Sequence, residues 1–372
     1  MSINKILING TAMTSGMDGI NRFTNEILNE IDITTEEVYV LTSLIKTNLN
    51  NLKTIAAPKL LNEYGSVSSI FRLIWNQIRT PKIIKENNIN LYYSPNPEGM
   101  LNPRCPQIIT VHDIIPILYP NSNPRLKYYY RYVLPNLLKV SDFIIVPSKS
   151  TKEDLIRYYY LDSSKIKIVY QGYKKEIFSI LDRDVINKVL SKYKIKNKYI
   201  LCVGETRPYK NITKLIKAIR EVKVKDIELI VVGKINRLDK NLLKLPQELG
   251  ISDRIKFLGF VPDEDLAALY NGANTFVFPS LYEGFGIPPL EALACGCPVI
   301  ASDRASIPEV CGNAAIYINP NDEKDIARKI DNVCADAKIR QKMKSKGLLL
   351  SKKYSYENAA KDLIQIFKET LG

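Results

Sequence analysis

Short apolar runs, each closed by glycine, proline or a polar turn, recur along this chain, and helical spacing fills the intervals between them. The first half places such runs at 5–9, 38–41, 89–93, 108–111, 143–146 and 166–170. A second series follows at 199–203, 227–232, 255–258, 275–278, 299–301 and 315–318. Helical periodicity marks 20–30, 68–84 (one helix or a pair), 125–138, 151–160, 182–194 and 212–222, then 240–249, 262–272, 323–333 and 356–371. Ser150 is read as the cap of the helix at 151–160, and Pro116, Pro120 and Pro124 delay regular structure until about residue 125. Strands alternating with helices twice over predict two doubly wound α/β halves with parallel sheets. Gln171-Gly172 is the candidate hinge, and ligands are expected at the carboxyl ends of the strands.

At 372 residues the chain is too long for one ordinary core, which agrees with two domains. No apolar run approaches the roughly 18 residues of a membrane-spanning helix, and residues 1–9 lack a signal-peptide pattern. The expected location is the cytoplasm, or the inner face of the plasma membrane as a peripheral protein. Six scattered cysteines with a single histidine assemble no zinc set, so no metal site is expected. The net charge of +14 is shared: 19 Lys+Arg against 14 Asp+Glu in residues 1–172, and 34 against 25 in the rest. That favours anionic small ligands and acidic membrane surfaces over nucleic acid, for which there is no motif or basic tail.

The stretch Ser280-Leu281-Tyr282-Glu283-Gly284-Phe285-Gly286-Ile287-Pro288-Pro289-Leu290-Glu291 reads as strand end, glycine loop and helix start. Gly284 and Gly286 allow close backbone approach, and the prolines suit a first helical turn. The helix N-terminus favours an anion, whereas Glu283 and Glu291 would repel one and should accept hydrogen bonds from hydroxyls. A sugar nucleotide satisfies both demands. Three further strand ends converge on that ligand. Arg207 and Lys210 flank a helix start and suit a diphosphate, Gly233-Lys234 ends the next strand, and Phe260-Val261 offers a flat wall to a base. A Gly16-x-x-Gly19 loop after the first strand is a second phosphate cradle, or plain turn glycines.

Glu283-x7-Glu291 with its glycine loop, and Arg207-x-x-Lys210, resemble retaining glycosyltransferases of family 4, the group 1 glycosyltransferases, and His112-Asp113 after its strand resembles a pair found in many of them, often mannosyl and related transferases. The resemblance implies a GT-B architecture: two Rossmann-like domains facing each other across a cleft. These would be 1–172 with the C-terminal helix 356–372 on the acceptor side, and 173–355 binding the nucleotide sugar. By the same resemblance Arg207 and Lys210 hold the diphosphate, Glu291 reads the ribose, and Glu283 with Gly284, Phe285 and Gly286 grips the donor sugar. Gly233, Lys234, Phe260 and Val261 complete the donor site, and the loop holding Gly16 and Gly19 approaches the diphosphate from the other domain. His112, beside Asp113, lines the sugar pocket and faces the acceptor. This chain departs from many members in having Tyr209 immediately before the lysine, and Met17-Asp18 inside the glycine loop.

Asp182-Arg183-Asp184 spells a metal-binding D-x-D but sits at a charged helix start, so transfer without a metal cofactor is expected, the cation pair standing in its place. The tyrosines and cations of 125–139 suit an acidic membrane or a polyprenyl-linked acceptor, or else pack in the domain with a solvated face. The function expected is transfer of a hexose, with mannose from GDP-mannose preferred, to a glycan or lipid-linked acceptor in bacterial surface polysaccharide synthesis. The rivals are a GT-B sugar-nucleotide epimerase and a non-catalytic subunit that binds sugar nucleotides.

Overall fold

The computed structural model describes residues 4–13, 19–31, 37–42, 52–62, 66–224, 226–235 and 241–372. The chain divides into two compact units, Met1–Gly172 with Tyr356–Gly372, and Tyr173–Ser355.

The first unit runs β1 (Lys5–Asn9), α1 (Gly19–Glu30), β2 (Glu37–Thr42), β3 (Lys53–Ala56), α2 (Ser66–Ile78), α3 (Thr80–Asn87) and β4 (Leu91–Ser94). It continues through β5 (Gln107–Thr110), α4 (Ile115–Leu118), α5 (Pro124–Tyr128), α6 (Leu134–Val140), β6 (Phe143–Val146), α7 (Lys149–Tyr159) and β7 (Ile166–Ile168). Its sheet has the order β3-β2-β1-β4-β5-β6-β7, with every neighbouring pair parallel.

The second unit runs α8 (Arg183–Lys192), β8 (Lys198–Val203), α9 (Ile212–Glu221), β9 (Ile227–Val232), α10 (Leu245–Glu248), β10 (Ile255–Gly259) and α11 (Asp263–Gly272). There follow β11 (Thr275–Phe278), α12 (Ile287–Ala294), β12 (Val299–Ser302), α13 (Ile307–Cys311), β13 (Ala315–Ile318), α14 (Glu323–Ala335) and α15 (Ala337–Ser351). The sheet order is β10-β9-β8-β11-β12-β13, again all parallel. The last helix, α16 (Tyr356–Leu371), returns to the first unit.

Side-chain alternation explains the layers. On β1, Ile6 and Ile8 face a cluster with Phe23 and Ile27 of α1 and Leu363 and Phe367 of α16, whereas Leu7 joins Ile83 and Ile84 of α3 on the other face. Both faces are covered, which is why the strands read as continuous apolar runs. In the second unit Leu215, Ile216 and Ile219 of α9 and Ile326 and Ile330 of α14 cover one face.

Several elements differ from the sequence reading. The cap of α7 is Ser148, whose extended backbone lets its side chain accept from the Thr151 N–H; Ser150 lies inside the helix. Pro116 and Pro124 do not postpone helix, because each occupies a first turn, where no N–H is required. The run 124–140 is helical throughout but passes through a π segment, Tyr129–Val133, between α5 and α6. Pro135 supplies the cause: it lacks the N–H for an i→i−4 bond and its ring crowds the carbonyl four residues back. Among the described residues of 240–249, the α-helix is confined to α10. Helix α15 escapes the sequence pattern because its buried positions are Met343, Gly347 and Ser351, so a single large apolar side chain marks that face. A Cβ on Gly347 would meet the Leu293 side chain at 2.9 Å.

Candidate functional site

The direction of winding reverses between β8 and β11, so the loops leaving these strands lie side by side with a crevice at their carboxyl ends. Hydrogen bonds to backbone carbonyls lace the rim. Leu281 N donates to Tyr209 O at 2.7 Å, and Asn211 Nδ2 donates to Pro279 O at 3.2 Å and Pro320 O at 2.7 Å. Gly204 N donates to Val232 O, Thr206 N to Lys234 O, and Gly233 N to Gly259 O. Gly233 has φ +135°, and a Cβ there would lie 2.2 Å from the Gly204 carbonyl oxygen, so only glycine lets these loops meet. Four strand-end loops thus form one connected rim.

Across this crevice Lys210 Nζ donates to both carboxylate oxygens of Glu283, at 2.7 and 2.9 Å. The two side chains are 16% and 10% exposed, so the pair is largely withdrawn from water. The ammonium also lies 5.5 Å from the Tyr209 ring and 5.4 Å from the Phe278 ring, where the aromatic faces favour a cation. Arg207 Nε donates to Glu205 Oε2 at 2.8 Å in the same loop. The cation expected to hold a phosphate and the carboxylate expected to hold a sugar therefore engage each other. A ligand that takes either one must compete with the other.

The loop that carries Glu283 is held from below. Ser306 Oγ, fully buried, donates to the carbonyls of Glu283 and Phe285, at 2.9 and 2.7 Å. Gly286 precedes α12 with φ +110°, a conformation that lets the chain turn into the helix. Phe285 is buried and stacks edge-on against Tyr354. Glu291, on α12, is 2% exposed, and the Tyr270 hydroxyl lies 3.4 Å from its Oε2. Burial, reinforced by that carboxylate, pushes the Tyr270 hydroxyl far above its usual range, so it stays protonated and donates. Val261 is buried, whereas the Phe260 ring is 67% exposed and Lys234 is exposed. Of the residues in this unit expected at a donor site, the structure joins Lys210 to Glu283 and laces Gly233 into the same rim; it leaves Phe260 and Lys234 at the surface.

His112 and Asp113 follow β5 in the first unit. The imidazole is buried: Nε2 donates to Pro95 O at 2.8 Å, Nδ1 accepts from Gln171 Nε2 at 3.0 Å, and Phe23 packs edge-on at 5.2 Å. Pro95 O can only accept, so the proton sits on Nε2. Asp113 Oδ1 accepts from Ile115 N at 2.8 Å and shapes the start of α4. Gly19 opens α1, and Gly16 lies outside the described residues. Asp182 is the residue before α8 and Asp184 lies in its first turn, as a helix start requires.

The sequence reading missed Ser306, Asn211, Gln171 and Tyr270. Ser306 had a signal: it lies in the strand-end loop after β12, the next in the series already singled out. Gln171 had none, because its partner is 59 positions away.

Comparison with known proteins decides the family. Residues 17–176 match the family described as Glycosyltransferase Family 4, and residues 184–349 match Glycosyl transferases group 1. The chain is 32% identical over 284 residues to O-antigen chain mannosyltransferase B of Escherichia coli, covering 75% of this chain and 74% of that protein. It belongs to the group 1, family 4 glycosyltransferases. Another relative, the O-antigen chain mannosyltransferase RfbU of Salmonella typhimurium strain LT2, is 37% identical over 61% of this chain and 60% of its own length. The serotype-specific mannosyltransferase WbdA of Escherichia coli is 31% identical over 71% of this chain, which spans 33% of that longer protein. Among solved structures, sucrose-phosphate synthase from Thermosynechococcus elongatus superposes with TM-score 0.80 at 18% identity, covering 98% of each chain. Anabaena HepE in complex with UDP and glucose gives 0.77 at 17% identity, over 98% of this chain and all of that one. The fold is GT-B.

Proposed function

We propose that this glycosyltransferase moves a hexose, mannose from GDP-mannose, to a glycan or polyprenyl-linked acceptor in bacterial surface polysaccharide synthesis. The observation that carries the reading is the Lys210–Glu283 pair at the reversal point of the second sheet, inside a family whose similar members are named as O-antigen mannosyltransferases. Lys210 would turn to the donor diphosphate and stabilise the departing nucleotide's charge, which releases Glu283 to accept from the sugar hydroxyls. Arg207 would add its guanidinium fork to the diphosphate, Glu291 would read the ribose, and His112 would line the sugar pocket as a neutral imidazole. Retention of anomeric configuration comes with this reading, and so does turnover without a metal.

The proposed location is the cytoplasmic side of the membrane. Among the described residues no helix is long and apolar enough to cross a bilayer. The first unit nevertheless exposes Ile70, Phe71, Ile74 and Ile78 along α2, and Tyr128 stacked with Tyr132, which supports peripheral contact with an acidic surface.

Thermal-shift titration with GDP, UDP and dTDP tests the donor, because a bound nucleotide raises the melting temperature by mass action. GDP is expected to give the largest shift, and no shift with any of the three would remove the donor site. Transfer to a lipid-linked glycan should persist in chelator. Rapid epimerisation of the donor without acceptor would replace transferase by epimerase.

A further inference from the structure

Within the first unit, on the outer surface of its helical layer, Lys127, Arg131, Pro135, Lys139, Tyr158 and Tyr160 line a groove of about 410 Å³. Four of these residues come from the helical run 124–140 at intervals of four. In a straight α-helix such a series drifts forward about 40° at each step, because 3.6 residues complete a turn. The wider π turn Tyr129–Val133 offsets part of that drift and keeps Lys127, Arg131, Pro135 and Lys139 along one side. π segments of this kind are frequent at functional sites.

The charge in the groove is uncompensated. No carboxylate lines it, and among the described residues none of Lys127, Arg131 and Lys139 has an ion pair. Lys165 Nζ, hydrogen-bonded to the carbonyl of Lys139 at 3.1 Å, adds a fourth cation behind. Some basic side chains elsewhere in this unit find acids, as Arg72 does with Glu98 and Lys53 with Glu37, and Lys152 bonds the carbonyls of Ser163 and Ile166.

The mouth is built at a cost. Tyr160 ends α7 in the left-handed conformation, φ +53°, where glycine or asparagine is usual, and its ring is 91% exposed. The hydroxyl of its neighbour Tyr159 donates to Tyr130 O at 2.9 Å and fastens the end of α7 to the π segment. A bulky residue held in a disfavoured backbone region, its ring in solvent beside a groove lined by three cations that lack ion pairs, has no stabilising role to explain it.

We propose that this groove is a phosphate-binding site: Lys127, Arg131 and Lys139 meet the oxyanions, and Tyr158 and Tyr160 flank the group that carries them. The chemistry is shared by a lipid headgroup and a free phosphorylated ligand. The inference does not rest on the transferase reading, because no donor-site residue takes part in it.

The test compares wild type with the triple variant Lys127→Gln, Arg131→Gln, Lys139→Gln. Flotation is measured on phosphatidylcholine vesicles with and without phosphatidylglycerol, and calorimetric titration with glycerol phosphate and with inorganic diphosphate. Using the difference between the two proteins cancels any diphosphate bound at Lys210. Wild type should bind at least one phosphate probe, and the triple variant should bind that probe roughly tenfold more weakly, with binding that falls as salt rises. Vesicle binding alone identifies a headgroup, and soluble binding alone identifies a free ligand. Tyr160→Gly separates function from folding: it should raise the melting temperature by relieving the backbone while lowering affinity, whereas a structural residue would move both together. Equal binding by wild type and triple variant, or no binding of any probe, overturns the proposal. A chain that shows this loss yet takes no nucleoside diphosphate would keep the groove and sink the transferase reading.

Discussion

The two sheets of this chain share a winding rule but finish their reversal points with different chemistry. Between β8 and β11 the crevice is bridged by a buried ion pair, Lys210 with Glu283. Between β1 and β4 the corresponding bridge is neutral: Asn9 Nδ2 donates to the Tyr92 hydroxyl at 2.8 Å, while Asn9 Oδ1 accepts from Thr11 N and Oγ1. The difference lies in what each bridge can release. A buried ion pair is costly to desolvate and is weak evidence for stability, so a protein that keeps one at a ligand crevice holds two charges ready for a ligand to claim. A neutral pair stabilises its loops and carries no net charge for a diphosphate to claim. This contrast supports the proposal that the donor's charge is met in the second unit.

The largest effect should come from breaking the ion pair on its acidic side. Glu283→Ala removes the carboxylate proposed to grip the sugar and strands Lys210 without its counter-charge. Product formation should disappear, and chemical denaturation should report a loss of about 3–5 kcal/mol, the range for a buried pair deprived of one partner. Nucleoside diphosphate binding should survive, because Lys210 is freed. Glu283→Gln keeps the shape and removes the charge, so measurable transfer by that variant would reduce the carboxylate to a positioning group.

Lys210→Ala comes next. Affinity for a nucleoside diphosphate should fall by about 1.5–3 kcal/mol, the worth of hydrogen bonds to charged groups. Unchanged affinity would place the diphosphate elsewhere. Pairing the two changes sharpens the comparison: Lys210→Met with Glu283→Leu should be more stable than either single variant, since neither charge is left alone. A strictly additive double variant would mean the two side chains are not coupled in solution.

Backbone geometry supplies a third, somewhat smaller effect. Gly233→Ala puts a Cβ into the Gly204 carbonyl and into a backbone region that side chains avoid. The expected loss is roughly 2–3 kcal/mol of stability together with weaker donor binding, read by denaturation and thermal shift. Unchanged binding would show that the lacing of the strand-end loops is not needed to shape the crevice.

Much of this is legible in the residues themselves, for identifiable reasons. Parallel strands buried on both faces announce themselves as apolar runs, and the loops at their carboxyl ends are where glycine, arginine, lysine and glutamate stand out. Local pattern is therefore enough for the second sheet, for the first sheet apart from its largely exposed edge strand β3, for the turn at Gly286 into α12, and for naming the residues that meet across the crevice. Pairing is beyond it. Lys210 and Glu283 lie 73 positions apart, and each alone points to a different part of the ligand; only the fold shows them holding each other. His112 is visible as a lone histidine at a strand end, but the Gln171 amide that fixes its tautomer comes from the far end of the unit. Helix α15 and the π segment are hidden for opposite reasons. Helix α15 buries a glycine and a serine beside its one buried methionine, so its apolar stripe is missing. The π segment keeps ordinary helical spacing, and the steric demand of Pro135 is the one clue to its wider turn.

The smallest prediction probes the neutral bridge. Tyr92→Phe removes one hydroxyl and leaves the Asn9 amide without that acceptor, so stability should fall by about 1 kcal/mol with no change in nucleotide affinity. Its pH dependence carries more information than its size. Burial pushes the Tyr92 hydroxyl far above the usual tyrosine range, so the folded protein keeps this proton where the unfolded chain, ionising near pH 10, gives it up. The unfolded state then binds fewer protons, and the contribution of Tyr92 to stability, complete below about pH 10, declines as pH rises beyond it. Phenylalanine carries no such linkage. The gap in unfolding free energy between wild type and Tyr92→Phe should therefore stay constant through neutral pH and narrow above about pH 10, where a gap that widened would mean the hydroxyl titrates more easily in the folded protein and that the reversal point of the first sheet is open to charge after all.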